Sequence, residues 1–390
     1  MHKKITILVC GILPPPNFGH SMMYKMLMES SFVEAFDITF LDLKFWSYAK
    51  HKRVTIDKLW KMVKYWFQYV FAIFSRRPQY VLFNMSFDKM PFLKDYLFCA
   101  TGALLGRRVV LHDMGQYLPE LHNSSGKLLQ FLIRDLLKRT YAIIVMGEKV
   151  RTEYAPFFDP KRIVVVPGVV EDTAGIQHGV IPAPAFAGVN SAGIQDNIEV
   201  LYFSYLSVTK GIWTALKAIP LVVQQDPRIR FTFAGPMESP QLQEQMEAFI
   251  KEKKLTDVVR YVGYVSDVPK RTAYFRNSDI FIFPTHRDVF GLVILHAMAE
   301  GVPVVASVEG TIPEILQDGT NGFLFEKGNE AQLAQKILAL AADAGLRQKM
   351  GQANRRRYLE NYTPDVYGRR MIRAFEQIMG PSTITGTIPE

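Results

Sequence analysis

Along the chain, short unbroken apolar runs alternate with longer stretches whose apolar positions recur every three or four residues. A run of four to eight apolar residues reads as a strand covered on both faces, and a 3.6-residue period reads as a helix with one buried side. In the first half, Ile5–Cys10, Ile38–Leu41, Tyr80–Asn84, Val109–His112, Ala142–Met146 and Ile163–Val166 predict strands. Ser21–Glu29, Ile56–Phe74, Lys94–Leu105 and Lys127–Arg139 predict helices between them. From about Thr173 to Asn197 the rhythm stops, Ala, Gly and Pro dominate, and charge is absent until Asp196, which predicts a linker with a hinge. The rhythm restarts with strands at Val200–Ser204, Ile229–Ala234, Val259–Val262, Ile280–Phe283, Val302–Ala306 and Phe323–Phe325, and with helices at Ala331–Leu340 and Pro364–Met379. Strands alternating with helices predict α/β units around parallel sheets.

A length of 390 residues exceeds what one core usually serves, so two domains are expected. We place them at 1–180 and 199–363, joined by a linker at 181–198, with the helix at 364–379 returning to the first domain and a disordered tail at 380–390. Hydrophobic residues make up 48% and charged residues 21%, a globular balance. Cys10 and Cys99 have no metal-ligand or disulfide-framework spacing, which fits a reducing cytoplasm. Lys3 and Lys4 precede the apolar run Ile5–Leu13 as in a short signal peptide, but Pro14, Pro15 and Pro16 follow with no small-residue cleavage site, so the run is read as a first strand. No stretch approaches the ~18 apolar residues of a membrane span. The net charge of +9 points to an anionic partner, whether lipid, phosphorylated substrate or nucleic acid. No nucleic-acid-binding module is recognisable, so nucleic acid is set aside.

The densest chemistry lies in Phe281–Gly328. A strand ends at Pro284, a polar loop runs from Thr285 to Asp288, and Phe290-Gly291 opens a helix that Gly301 stops. Free backbone N–H groups and the positive dipole end at Gly291 would suit a diphosphate, although an ordinary strand–loop–helix unit reads the same way. The stretch closely resembles the donor-binding signature of retaining glycosyltransferases of family four. Pro284, Phe290, Gly291, Leu292, Ala297, Met298, Ala299, Gly301, Pro303, Val304, Val305 and Ala306 match it, as do Glu314, Asn321 and Gly322. The resemblance covers the second half well and the first half loosely. It implies the GT-B architecture, two Rossmann-like doubly wound domains facing across a cleft.

The resemblance also implies roles. The family's paired glutamates are replaced by Asp288, which would face the donor sugar, and His296, beside the ribose. Lys210 and Gly211 match the family's K-G loop, where the lysine would neutralise the diphosphate. Ser204 and Tyr205 stand where the family has Gly and Arg, and Arg287 is the candidate replacement cation. His112 at the end of a predicted strand would hydrogen-bond the transferred sugar, and Gly19 in the first strand-to-helix turn would let the backbone approach the ligand. Phe290, Gly291, Leu292 and Gly235 complete the expected donor site. Transfer with retention and without a metal or other cofactor is implied, and no Asp-x-Asp element occurs in the chain.

The acceptor side is read from Lys44 to Arg77. Lys58, Lys61 and Lys64 share one helix face, Lys50, Lys52, Arg53, Arg76 and Arg77 flank it, and Trp46, Trp60, Tyr65, Trp66 and Phe67 interleave. Basic residues beside aromatics suit an anionic membrane surface on the inner face of the cytoplasmic membrane, with a glycan or lipid-linked glycan as acceptor. The alternative makes Trp60, Val63, Phe67, Val70 and Phe74 an inward stripe and the lysines its solvated face. The function expected is sugar transfer from a uridine- or guanosine-linked donor in bacterial-type polysaccharide synthesis. The alternatives are a weakly active or inactive sugar-nucleotide-binding partner, or another GT-B-like enzyme such as an epimerase or phosphorylase.

Overall fold

The computed structural model describes residues 4–15, 17–44, 56–85, 89–115, 118–173 and 197–380. The chain divides into two compact units, Met1–Val170 with Pro364–Glu390, and Glu171–Thr363.

The first unit is built on six parallel strands: β1 (Thr6–Gly11), β2 (Asp37–Asp42), β3 (Tyr80–Asn84), β4 (Arg108–Asp113), β5 (Ala142–Val145) and β6 (Ile163–Val165), in the order β2-β1-β3-β4-β5-β6. Strand β1 is buried along its whole length, which accounts for its unbroken apolar sequence. Helices α1 (Gly19–Met28) and α2 (Phe32–Ala35) connect β1 to β2. Helix α3 (Ile56–Arg76) leads to β3, α4 (Lys89–Leu104) to β4, α5 (Leu118–Asn123) and α6 (Lys127–Arg139) to β5, and α7 (Glu148–Tyr154) towards β6. Helices α3 and α4 touch, as do α4 and α6, forming one continuous layer.

The second unit repeats the scheme with β7 (Ile198–Phe203), β8 (Ile229–Ala234), β9 (Val259–Tyr261), β10 (Ile280–Phe283), β11 (Val304–Ser307) and β12 (Gly322–Phe325), all parallel, in the order β12-β11-β10-β7-β8-β9. Its helices are α8 (Ile212–Val223), α9 (Pro240–Glu252), α10 (Val268–Arg276), α11 (Leu292–Ala299), α12 (Ile312–Ile315), α13 (Glu330–Ala342) and α14 (Ala344–Asn361). Val200, Tyr202, Ile219, Phe231, Ile282 and Ile337 sit in its main core. The last helix, α15 (Pro364–Met379), belongs to the first unit, where the Phe375 ring meets Phe32, Phe36 and Tyr80.

The segment that starts the second unit is held by arginines. Arg271 pairs with Glu171, Arg355 binds both oxygens of Asp172 at 2.8 and 2.9 Å, and Thr173 donates to Glu300, which also pairs with Arg276. Most of the expected linker 181–198, the tail from residue 381, and Trp46, Lys50, Lys52 and Arg53 lie outside the described residues.

One alternative from the sequence is corrected. Trp60, Val63, Phe67 and Phe74 do not face inward; Trp60 is 71% exposed and Phe67 and Phe74 are each 61% exposed. Helix α3 buries Tyr69 and Ile73 instead, and Trp66 donates from Nε1 to Thr101 of α4 at 3.1 Å. The helix carries two apolar arcs, and a 3.6-residue period does not tell which one meets the sheet.

Candidate functional site

In the second sheet the strand order reverses between β7 and β10, and the loops leaving the carboxyl ends of these two strands touch. Open parallel sheets bind ligands at such reversals. After β7, Ser207 caps a single 3-10 turn, Val208–Lys210, by accepting from the Lys210 N–H at 3.2 Å. Gly211 then takes a left-handed conformation, φ 74°, and starts α8. A Cβ there would lie 1.7 Å from the Pro284 carbonyl oxygen, so only glycine lets the two loops approach this closely. The second loop is fastened to the first by Thr209, whose carbonyl accepts from the N–H groups of His286 and Arg287 at 2.9 and 3.1 Å. Thr285 donates to the Arg287 carbonyl at 3.1 Å, and Ser307 at the end of β11 donates to Thr285.

Lys210 and Asp288 meet here. The Lys210 Nζ lies 2.5 Å from Oδ2 of Asp288 and donates to the Arg287 carbonyl at 3.1 Å. The other carboxylate oxygen of Asp288 accepts from the N–H groups of Phe290 and Gly291 at 3.1 and 2.7 Å. One side chain thus occupies both the ammonium and the backbone donors just before α11, the groups expected to hold a phosphate. The sequence brought Lys210 and Asp288 to one site but not to this mutual pairing. Nothing in their separation by 78 residues signals it, because the contact depends on β7 and β10 being neighbours.

The remaining expected residues fall into distinct environments. Arg287 is exposed on the same loop. Phe290 is buried, with its ring edge-on to Tyr362 at 6.3 Å, so it packs the loop rather than presenting a stacking face. Gly291 adopts φ 78° as the N-cap of α11, and Leu292, the first residue of that helix, is partly exposed. Gly235 follows β8 at φ 135°, where a Cβ would lie 1.8 Å from the Ser204 carbonyl oxygen; its own carbonyl accepts from Tyr261. It brings the loops after β7 and β8 together.

His296 sits one turn into α11, its ring 5.9 Å from that of Phe275. Burial and the nearby Arg271 lower its pKa, against an opposing influence from Glu171, so the imidazole is neutral near pH 7. As a neutral ring it can offer one donor and one acceptor. Burial works against ionisation of Glu171, while the Arg271 guanidinium, by charge and by hydrogen bond, and a backbone N–H favour it, and the net shift is below the usual carboxylate range. The Glu171–Arg271 pair beside His296 was not anticipated; both residues lie outside the motif. Asn321, a motif match, is structural: its side chain accepts from Gln317 N–H at 2.7 Å and donates to Asn354, which donates to the Val302 carbonyl.

Two expected residues lie in the first unit. Gly19 is the exposed first residue of α1. His112 lies in β4, fully buried, with its ring edge-on to Tyr24 at 5.9 Å. Among the described residues neither ring nitrogen has a hydrogen-bond partner, and burial pushes its pKa down to about 3. A neutral, unpartnered imidazole at a strand end is a polar group held ready for a ligand or a solvent molecule. Next to it, Asp113 accepts from the Tyr154 hydroxyl at 2.6 Å. Among the described residues, no group of three or more His, Cys, Asp or Glu side chains is placed to hold a metal ion.

Residues 190–357 match the family described as glycosyl transferases group 1. The chain is 27% identical over 174 residues to the capsular polysaccharide biosynthesis glycosyltransferase CapM of Staphylococcus aureus, covering 44% of each chain. It is 29% identical over 198 residues to the phosphatidyl-myo-inositol mannosyltransferase of Mycobacterium leprae, covering 50% of each. The chain thus spans about half the length of the curated relatives it matches. Among solved structures, sucrose-phosphate synthase from Thermosynechococcus elongatus aligns with a TM-score of 0.73 at 17% identity, covering 96% of this chain and 99% of that one. HepE of Anabaena, solved with UDP, aligns with a TM-score of 0.69 at 14% identity, covering 95% and 99%. Two doubly wound units with these neighbours make the fold GT-B, and the stretch 190–357 is similar to the glycosyl transferases group 1 family.

Proposed function

We propose that the protein is a glycosyltransferase that moves a sugar, with retention of configuration and without a metal, from a uridine- or guanosine-linked donor to a glycan or lipid-linked glycan. The observation that carries this reading is the meeting of Lys210, Asp288 and the backbone N–H groups before α11 at the strand-order reversal. That set can neutralise a leaving diphosphate: the ammonium supplies charge, and the fixed backbone donors need no reorganisation as negative charge develops. Solved neighbours of the same fold carry UDP and UDP-glucose, which favours a nucleotide-sugar donor. Asp288 would orient the donor sugar once released from Lys210, and His296 would meet the ribose hydroxyls as a neutral ring.

The test is a thermal-shift and calorimetric panel of nucleoside diphosphates and nucleotide sugars, run in EDTA and in magnesium, followed by product analysis with the ligand that binds. A specific ligand at 100 times its Kd stabilises by about 2.7 kcal/mol. A metal-independent shift with one base, followed by release of that nucleoside diphosphate on adding acceptor, supports the reading. Binding of a donor with neither transfer nor hydrolysis favours a sugar-nucleotide-binding partner, a reading that the self-pairing of Lys210 with Asp288 specifically motivates.

A further inference from the structure

We propose that the layer formed by α3, α4 and α6 is a docking surface for an anionic lipid bilayer. This rests on the first unit alone and on no part of the transferase reading. Among the described residues, thirteen of the nineteen exposed large hydrophobics of the chain lie on these three helices. On α3 they form a single stripe at helical spacing that includes Trp60, Val63, Phe67 and Phe74, with Phe71, 72% exposed, beside it. This stripe is separate from the arc of Tyr69 and Ile73 that the helix buries. Helix α4 turns Phe92, Phe98 and Cys99 inward and still presents Leu93 and Leu97 to solvent, so its apolar residues are not confined to the buried face. Helix α6 extends the surface with Leu128 and Phe131. Soluble monomers rarely expose apolar patches beyond a few hundred Å² without a partner.

Charge selects the partner. The three helices carry ten Lys and Arg residues against three Asp. Each of the three carboxylates is already engaged, Asp57 by Lys61, Asp95 by Lys94 and Asp135 by Arg139. Lys61 and Lys64 lie on the flank of the α3 stripe, and Lys127 and Lys138 are exposed on α6. An apolar face with cationic borders matches acyl chains under anionic headgroups, each nearby Lys or Arg strengthening attachment by about fivefold. A second copy of the chain fits worse, because a two-fold contact through this face sets lysines against lysines.

The test is co-sedimentation of the full chain with vesicles of phosphatidylcholine alone and of phosphatidylcholine mixed equally with phosphatidylglycerol, at low and physiological salt. The wild type is expected to sediment with the mixed vesicles and not with phosphatidylcholine alone. The triple variant Trp60→Ser/Phe67→Ser/Phe71→Ser removes only exposed rings. It should keep the melting temperature and lose vesicle binding by at least about tenfold. Lys61→Glu/Lys64→Glu should lose the salt-sensitive part, and Leu359→Ser, an exposed apolar position on the second unit, should change nothing. Absence of wild-type binding to the mixed vesicles overturns the proposal, as does binding that the ring variant retains. A wild-type dimer that the ring variant dissolves, with no vesicle binding, overturns it in favour of self-association.

Discussion

Replacing Asp288 with Asn tests whether the site is held closed by its own anion. Asn keeps the side-chain oxygen that accepts from the Phe290 and Gly291 N–H groups, so the turn before α11 is preserved while the charge facing Lys210 disappears. Opposite unit charges about 3 Å apart attract by about 5 kcal/mol at an effective dielectric constant of about 20. The two side chains are 25% and 17% exposed, and desolvation offsets most of that attraction, leaving roughly 1–2 kcal/mol net. A diphosphate reaching Lys210 must break this pairing or bind beside a carboxylate, so removing the charge should lower the Kd for a free nucleoside diphosphate by about tenfold. Titration calorimetry of the nucleoside diphosphate that binds, at two salt concentrations, reads this directly, and the gain should shrink as salt rises. If Asp288 also orients the sugar, transfer slows in the same variant although diphosphate binds more tightly. An unchanged or higher Kd, with an unchanged melting temperature, would refute the reasoning and make the carboxylate part of the binding set rather than its competitor.

Three further outcomes are expected. His112 is neutral in the fold, with its pKa lowered from 6.5 to about 3, so its contribution to stability is complete above about pH 6.5 and declines as pH falls towards 3. His112→Phe should therefore remove about 2 kcal/mol of the stability lost between pH 7 and 5, read by denaturant midpoints, while abolishing any sugar contact made by the ring. Gly211→Ala forces a Cβ towards the Pro284 carbonyl at a positive φ and should destabilise the second unit by about 3 kcal/mol or more, seen as a lower melting temperature with weakened diphosphate binding. Asn321→Ala leaves the Asn354 amide and the Gln317 N–H without their partner inside the second unit, and should lower stability by about 2–3 kcal/mol while leaving ligand affinity of the folded protein unchanged.

The strands were the most legible feature of the sequence. Strands buried on both faces seldom tolerate polar interruptions, so β1, β3, β5 and β10 stand out as apolar runs, and the observed bounds follow the predicted ones to within a residue or two. The Gly-rich loops were legible for a related reason: a backbone approach as close as that of Gly211 to Pro284 admits a single residue type, and that residue is visible in the sequence. The helices were less legible. In α8 the sequence IWTALKAIPLVV is apolar on most sides and carries Pro220 within it, so periodicity hardly marks it; its place against the sheet and α13 defines it.

The sequence by itself determined the alternation of strand and helix and the two halves, because these depend on local periodicity, and its resemblance to a known motif singled out the residues that gather at the second sheet's reversal. Only the tertiary structure decided what those residues do to one another. Asp288 and Lys210 become partners through the neighbouring of β7 and β10, and His296 becomes neutral through burial beside Arg271. On α3, two apolar arcs were both compatible with the same periodicity, and the sheet could accept one. The choice of Tyr69 and Ile73 for the core left Trp60, Phe67 and Phe74 outside, because burial is settled by packing against distant strands rather than by the helix that carries the residues.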